Sequence, residues 1–155
     1  EEIFVLDGVF SDERGDYPAG SYIRNPPGSN HRPHSVDGCV LFVKLHQFSE
    51  MDMEQFVIDT NNTSWSQGIG GSKIMPLHSF EQESVALVKW PAKKVFTTHK
   101  HIGGEEVLVL SGVFKDEFGE YPAGTWIRSP HSSDHIPCTD IETVILVKTG
   151  HLLRA

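Results

Sequence analysis

The sequence predicts an all-β protein whose strands form a barrel or a sandwich. Short segments rich in Val, Ile and Leu recur along the chain, and turn-forming sequences such as Asp-Gly, Gly-Gly and Pro-Ala-Gly separate them. No window shows a sustained apolar period of about 3.6 residues, as an amphipathic helix would. Many short strands joined by regular turns are typical of barrels and sandwiches.

Six segments are predicted to be strands. In chain order they are IFVL (3–6), VLFVKL (40–45), SVALVK (84–89), KVFTTH (94–99), EVLVL (106–110) and VILVK (144–148). One further segment, MDMEQFVIDT (51–60), is predicted to form a short helix. The sequence therefore places strands along most of the chain and a helix in one short stretch.

An internal repeat runs through the chain at a constant offset of 104 residues. The segments EEIFVLDGVFSDERGDYPAGSYIR (1–24) and EEVLVLSGVFKDEFGEYPAGTWIR (105–128) are identical at 16 of 24 positions without a gap. The match continues through His31 and His135 and ends with VLFVK (40–44) over VILVK (144–148). Self-similarity at a fixed period indicates duplication of one structural unit.

The repeat predicts the domain organisation. Two full copies would need about 208 residues at this period, and the chain has 155. We therefore expect residues 1–48 to be a partial first repeat that lacks its front part. Residues 49–82 are expected to form a connector and the start of the second repeat, and residues 83–155 the core of a complete second repeat.

Composition limits the classes of partner. Thirteen basic and 21 acidic residues give a formal net charge of −8. Nucleic acids and anionic membranes both select for basic patches, so neither is an expected partner. Cys39 and Cys138 lie far apart without a CxxC motif, which favours a reduced, cytoplasmic protein and leaves a single disulfide as the alternative.

The segment HKHIGGEE (99–106) carries the candidate chemistry. Side chains alternate along a strand, so His99 and His101 would point the same way about 7 Å apart. Both imidazoles could then reach one metal ion. The two glycines that follow allow a tight turn, after which Glu105 can return to the same point as an oxygen ligand.

A fourth ligand must come from a distant strand, and His135 is the candidate. Its counterpart His31 occupies the same place in the other copy of the repeat. In the first copy, Glu1 and His31 form an incomplete second site, because no His-x-His pair precedes Glu1 in this sequence. We expect no metal to be held by these two ligands alone.

These residues resemble the two sequence motifs of the cupins. The first motif, G-x5-H-x-H-x3,4-E-x6-G, fits His99, His101, Glu105 and Gly112, with Lys93 at the position of the opening glycine. The second motif, G-x5-P-x-G-x2-H-x3-N, fits Gly124, Pro130 and His135, with Ser132 and Thr139 as departures. The first copy fits the second motif at Gly20, Pro26, Gly28 and His31, with Ser35 as a departure. The resemblance implies a double-stranded β-helix, or jelly-roll barrel, present as one complete copy plus a partial one.

The segment GGEEVLVLSGVFKDEFGEYPAGTWIRSP (103–130) resembles the cupin domain of ChrR-type anti-sigma factors and relatives of acetylacetone-cleaving dioxygenases. The first resemblance implies a metal-binding cupin with a sensory or regulatory role. The alternative is an Fe(II)-type small-molecule dioxygenase, so an enzymatic activity is left open. Sigma-factor binding is not expected of this chain alone, because the small zinc-binding helical domain that grips the sigma factor is not in the sequence.

Three imidazoles and one carboxylate suit several divalent transition metals, including Zn, Fe, Ni and Mn. The resemblance slightly favours Zn. A tetrahedral ion with four protein ligands is closed, and hence structural or sensory. A six-coordinate ion keeps two open positions for dioxygen and substrate. No catalytic residue beyond the ligands stands out in the sequence.

Other residues are candidates for the pocket wall. Tyr121 and Arg128 recur in the first copy as Tyr17 and Arg24, so they could orient a substrate carboxylate or pin a loop. Glu106 is expected either to support the ligands or to be exposed.

Two expectations concern packing and assembly. Phe114 and Trp126 are expected to fill the barrel, and a place in the pocket wall is the alternative. A homodimer is also expected, because a truncated first copy leaves strand edges and apolar faces uncovered. A small-molecule ligand is a further expected partner.

Overall fold

A computed structural model describes residues 1–152 and divides the chain into two compact units, Glu1–Ser64 and Trp65–Ala155. The described residues form strands and no α-helix, with one 3-10 turn at Ile69–Gly71. The predicted all-β class is therefore confirmed. No helix within this part of the chain is long and apolar enough to cross a membrane.

The first unit contains five strands. They are β1 (Glu2–Asp12), β2 (Gly15–Pro18), β3 (Ser21–Arg24), β4 (Cys39–Lys44) and β5 (Phe56–Asp59). All neighbours are antiparallel, in the order β2-β1-β3-β5, with β4 paired to β1. The long strand β1 has a register shift between Val5 and Asp7. This bulge bends the strand. The first half of β1 pairs with β3, and the second half pairs with β2.

The helix predicted at 51–60 is wrong, because its second half is the strand β5. Residues 56–59 pair with β3 along their whole length, and their burial alternates between half-buried and exposed. Val57 and Ile58 are β-branched, which favours an extended backbone. The hydrogen-bonding edge of β3 satisfies the backbone groups that a helix would otherwise satisfy internally.

The described part of the second unit, residues 65–152, contains twelve strands. They are β6 (Ser66–Gln67), β7 (Lys73–Phe80), β8 (Glu83–Trp90), β9 (Lys94–Val95), β10 (His99–Lys100), β11 (Glu105–Ser111), β12 (Val113–Asp116), β13 (Gly119–Pro122), β14 (Trp126–Ser129), β15 (Asp134–His135), β16 (Cys138–Thr139) and β17 (Thr143–Thr149). They form three antiparallel sheets in the orders β14-β11-β17-β8-β7-β6, β13-β12-β16-β9 and β10-β15. Both cysteines, one in each unit, are free thiols.

The core of the second unit is a cluster of Val107, Val109, Phe114 and Ile145. Phe114 is 1% exposed, which confirms its predicted core position. Trp126 is 51% exposed, so its predicted core position is wrong. The physical reason is strand alternation, because Ile127 pairs opposite Val107 and shares its face, whereas the side chain of Trp126 points to the other face.

The sequence repeat is also a repeat of strand register. Phe10 pairs opposite Tyr17 in the first unit, and Phe114 opposite Tyr121 in the second. The bulge of β1 recurs in β11, between Val109 and Ser111. The pairing differs at one edge. Among the described residues β4 pairs with β1 alone, whereas its counterpart β17 pairs with both β11 and β8.

Replacing Phe114 with Ala should lower the free energy of unfolding of the second unit by about 3–5 kcal/mol, because the change empties a packed core position. Chemical denaturation followed by intrinsic fluorescence measures this. Phe118 belongs to the same hairpin but is 75% exposed, so Phe118→Ala is the matched control and should cost less than about 0.5 kcal/mol. Equal losses in the two variants would contradict the assigned core.

Candidate metal centre

Strand pairing brings three histidines together. The short strands β10 and β15 are antiparallel, with His99 directly opposite His135. His101 follows β10, and its backbone N–H donates to the carbonyl of Ser133 at 3.0 Å. One ligand atom from each of these histidines lies within 4.8 Å of those of the other two, so His99, His101 and His135 could hold one ion.

The rings also meet at angles that suit a shared ion. The centroid of His101 is 4.8 Å from those of His99 and His135, and the rings cross at 74° and 80°. Rings that meet edge to face do not stack on one another. Their nitrogens can therefore converge on a point that lies between them.

A glycine turn connects the histidines to Glu105. Gly103 and Gly104 have φ values of +82° and +77°, which favour glycine. A Cβ at Gly103 would lie 2.6 Å from the Cα of Gly150, so the close approach also requires a residue without a side chain. The N–H of Gly103 donates to Nδ1 of His131 at 2.9 Å, which gives that histidine a supporting role.

Glu105 contacts two of the three histidines. Its Oε2 lies 3.3 Å from Nδ1 of His101, and its Oε1 lies 3.8 Å from Nε2 of His135. Burial raises the pKa of Glu105 to about 7. The pKa of His101 is lowered to about 4. Burial is the largest cause, and the neighbouring imidazoles of His135 and His99 lower the pKa further. His101 is therefore neutral near pH 7, which is the form that binds a metal.

The donor set fits a divalent transition metal. Nε2 of His101 is buried and has no hydrogen-bond partner among residues 1–152. A buried nitrogen without a partner costs about 1–3 kcal/mol, and a metal ion at that position would remove the cost. On the other two rings, Nδ1 of His99 lies 3.2 Å from the carbonyl of Thr97 and Nδ1 of His135 lies 3.3 Å from Oδ2 of Asp116. Three imidazoles beside one carboxylate make a borderline site of the kind that Zn, Fe and Ni accept.

Sequence reasoning missed Asp116. Its Oδ1 accepts hydrogen bonds from the Tyr121 hydroxyl at 3.1 Å and from the N–H of Phe118 at 2.8 Å. Through Asp116, Tyr121 is thus tied to the turn between β12 and β13. The signal that could have found Asp116 is the repeat, because Asp12 and Tyr17 occupy the same positions in the first copy.

A cavity of about 450 Å³ adjoins the histidines. Its lining residues include His101, Tyr121, Ile127, Arg128 and His135. The cavity therefore reaches the cluster from the side of the β12–β13 hairpin.

Glu106 is not among the residues that line this cavity. It pairs opposite Arg128 in the register of β11 and β14, and Nε of Arg128 lies 3.5 Å from its Oε1. Its Oε2 lies 3.1 Å from Nε2 of His151. Strand alternation places Glu106 on the face of β11 opposite to that of Glu105.

The two repeated arginines differ in their surroundings. Arg24 is 1% exposed and forms ion pairs with Asp52 at 2.5 Å and with Glu2 at 3.7 Å. These buried pairs give Arg24 a structural role in the first unit. Arg128 is 57% exposed, so the equivalent arginine of the second unit lies at the surface and is not buried as Arg24 is.

The incomplete site of the first unit has the same supporting contacts. Nε2 of His31 lies 3.0 Å from Oε2 of Glu1, and Nδ1 lies 3.4 Å from Oδ2 of Asp12. The Tyr17 hydroxyl donates to Asp12 at 3.0 Å. A cavity of about 530 Å³ lies beside Glu1 and His31.

The family model of the ChrR cupin-like domain matches residues 1–49 and 53–153. The chain therefore belongs to the ChrR cupin-like family. Comparison with curated proteins gives no match.

Solved structures support the cupin fold. A chain of the Rhodobacter sphaeroides complex of SigE with the anti-sigma ChrR is 25% identical, with a TM-score of 0.52, and the match covers 57% of this chain and 50% of that one. A proposed dioxygenase from Nostoc punctiforme is 17% identical, with a TM-score of 0.78, and the match covers 99% of this chain and 62% of that one. An acetylacetone dioxygenase from Acinetobacter johnsonii is 18% identical, with a TM-score of 0.55 and coverage of 69% and 80%. The chain thus spans about half to two thirds of the length of the first two structures.

Replacing His135 with Ala should remove nearly all bound metal, because it deletes one of three converging nitrogens. Elemental analysis after dialysis measures the metal content per chain. The matched control is His31→Ala, which breaks the equivalent contact to Asp12 in the first unit and should leave the metal content unchanged. Retention of metal by the His135 variant would contradict the proposed ligand set.

Proposed function

We propose that this chain is a metal-binding regulatory domain that holds one divalent transition metal through His99, His101, Glu105 and His135. The observation that carries the proposal is the buried Nε2 of His101, which lies among converging imidazoles and lacks a hydrogen-bond partner within residues 1–152. Membership of the ChrR cupin-like family supports the regulatory role.

Zinc is the favoured ion. His101, Glu105 and His135 are buried, and four protein ligands in a tetrahedron leave no open position on the metal. Closed sites of this kind have structural or sensory roles. The resemblance to ChrR-type domains also favours zinc.

The proposed regulatory role is supported by the positions of the chain segments that carry the four ligands. They come from β10 and the residue after it, from the start of β11 and from β15. In the metal-bound protein these separate segments are tied to one point, and metal binding then contributes directly to the free energy of folding. Gain or loss of the ion would change the stability of these segments, and a partner that binds them could respond to that change.

The alternative function is an Fe(II)-type small-molecule dioxygenase. The cavity of about 450 Å³ beside His101 and His135 favours it, because a small substrate could reach the metal from there. His99 is exposed, so the ligand cluster is open on one side. When bound, a six-coordinate iron would supply adjacent positions for dioxygen and for a chelating substrate.

Spectroscopy and oxygen uptake separate the two functions. If the site is regulatory and closed, protein loaded with Co(II) should show the strong visible absorption of a four-coordinate ion. Glu105→Gln should weaken that absorption, because a neutral amide is a poorer ligand than a carboxylate. Fe(II)-loaded protein should consume no oxygen with a panel of β-diketones.

Oxygen consumption that disappears in His101→Ala would establish the enzymatic alternative. The weak visible absorption of a six-coordinate Co(II) ion would likewise contradict the closed site.

The uncovered edge of β4 supports a homodimer. In the second unit, the counterpart strand β17 carries β8 along its other edge. The corresponding edge of β4 pairs with no strand in the described part of the chain, and Val40 and Val43 are exposed. Two copies can pair at such an edge, because antiparallel strands related by a two-fold axis are self-complementary.

Sedimentation analysis tests this assembly. The protein should be a dimer, and Val40→Lys should shift it toward monomer, because a charged residue blocks edge pairing. Val36→Lys, at an exposed position outside the strand, is the control. A wild-type monomer, or a dimer that survives Val40→Lys, would contradict pairing at β4.

A further inference from the structure

We propose that Asp116, oriented by Tyr121, is a positioning residue that sets the tautomer of His135 and thereby the metal affinity of the centre. The proposal rests on the proposed metal-binding function. It adds to that function two residues that belong to no predicted ligand set.

The contact between Asp116 and His135 determines which nitrogen can bind a metal. Oδ2 of Asp116 lies 3.3 Å from Nδ1 of His135, and both side chains are buried. An ionised carboxylate only accepts hydrogen bonds, so it keeps the imidazole proton on Nδ1. The lone pair then resides on Nε2, which lies 3.8 Å from Oε1 of Glu105 on the side of the cluster.

The orientation of Asp116 is itself fixed. Its Oδ1 accepts from the Tyr121 hydroxyl at 3.1 Å and from the N–H groups of Phe118 at 2.8 Å and Gly119 at 3.1 Å. Three donors on one oxygen hold the carboxylate plane, so the other oxygen must face His135.

A second contact joins the same turn to the strand that carries His135. Oε2 of Glu117 accepts the N–H of Ile136, the residue after His135, at 2.8 Å. The turn between β12 and β13 therefore holds both the side chain of His135 and the backbone beside it. Phe114 packs against this arrangement, with its ring 5.8 Å from that of His135 and 6.0 Å from that of Tyr121.

The other two imidazoles are held differently. Nδ1 of His99 faces the backbone carbonyl of Thr97, and Nδ1 of His101 faces Glu105, which is itself a predicted ligand. Asp116 is thus the carboxylate that contacts His135 from outside the ligand set.

The first unit provides a matched control within the same protein. Tyr17, Asp12 and His31 form the equivalent chain of contacts, at 3.0 Å and 3.4 Å. His31 belongs to no cluster of three potential ligands among the described residues. The same substitution can therefore be made in two nearly identical surroundings, of which only one adjoins the candidate metal centre.

The test compares Asp116→Asn with Asp12→Asn, and Tyr121→Phe with Tyr17→Phe, by titrating zinc against a competing chelator. Asp116→Asn should weaken zinc binding roughly 10-fold to 100-fold, the range measured when such supporting partners are removed. Tyr121→Phe should cause a smaller loss, because the carboxylate remains. The variants of the first unit should bind zinc as the wild type does. The visible spectrum of the Co(II)-loaded protein should change in Asp116→Asn and not in Asp12→Asn.

Unchanged zinc affinity in Asp116→Asn, or an equal loss in Asp12→Asn, would overturn the proposal, because the role would then be structural or absent. If Asp116→Asn fails to fold, Tyr121→Phe decides, since it keeps the ring and removes only the hydroxyl. Wild-type affinity in that variant would then reject the assignment. By contrast, zinc retained after His101→Ala would reject the metal centre itself, so the two failures are distinguishable.

Discussion

The pairing of β10 with β15 is the constraint on which the candidate site depends. It places His99 opposite His135, although the two residues are far apart in sequence. The hydrogen bond from His101 to the carbonyl of Ser133 extends this contact beyond the end of the strand. The resulting cluster collects imidazoles and a carboxylate in a partly buried place, where Nε2 of His101 has no hydrogen-bond partner among residues 1–152. A divalent ion held by the three imidazoles would give this nitrogen a partner.

The internal repeat shows how one local framework serves two different surroundings. Each unit has a Tyr–Asp–His chain of contacts, in which the tyrosine and the aspartate lie on one hairpin; the two distances are 3.0 and 3.4 Å in the first unit and 3.1 and 3.3 Å in the second. Only in the second unit does the histidine of that chain meet two others. The shared framework therefore belongs to the repeated unit of this chain, and the candidate metal centre lies where His99 and His101 are added to it.

Much of the site could be predicted from the sequence, because it follows from local rules. Strand alternation predicts that His99 and His101 share a face, and the glycine pair predicts the turn that returns Glu105 to them. The repeat points to His135 through its counterpart His31. Strand alternation does not predict Asp116, since its role arises from contacts with Tyr121 and His135, and only the repeat marks its position through Asp12. The predicted core position of Trp126 was wrong because strand alternation left the choice of face open. A period of two shows that residues alternate, but it does not show which face is the core.

The short segment 51–60 shows a further limit. The sequence predicts a helix there, yet residues 56–59 pair along the edge of β3 and form a strand. Short segments take their structure from the partner that is available, and such a partner is not visible in local sequence.

X-ray absorption spectroscopy of the zinc-loaded protein would identify the ligands, because it reports the elements bound to the metal and the scattering pattern of imidazole rings. We expect a first shell of nitrogen and oxygen only, at about 2.0–2.2 Å, with the outer scattering of three histidines. A sulfur ligand at about 2.3 Å, supplied by a cysteine, or a shell without imidazole scattering would contradict it.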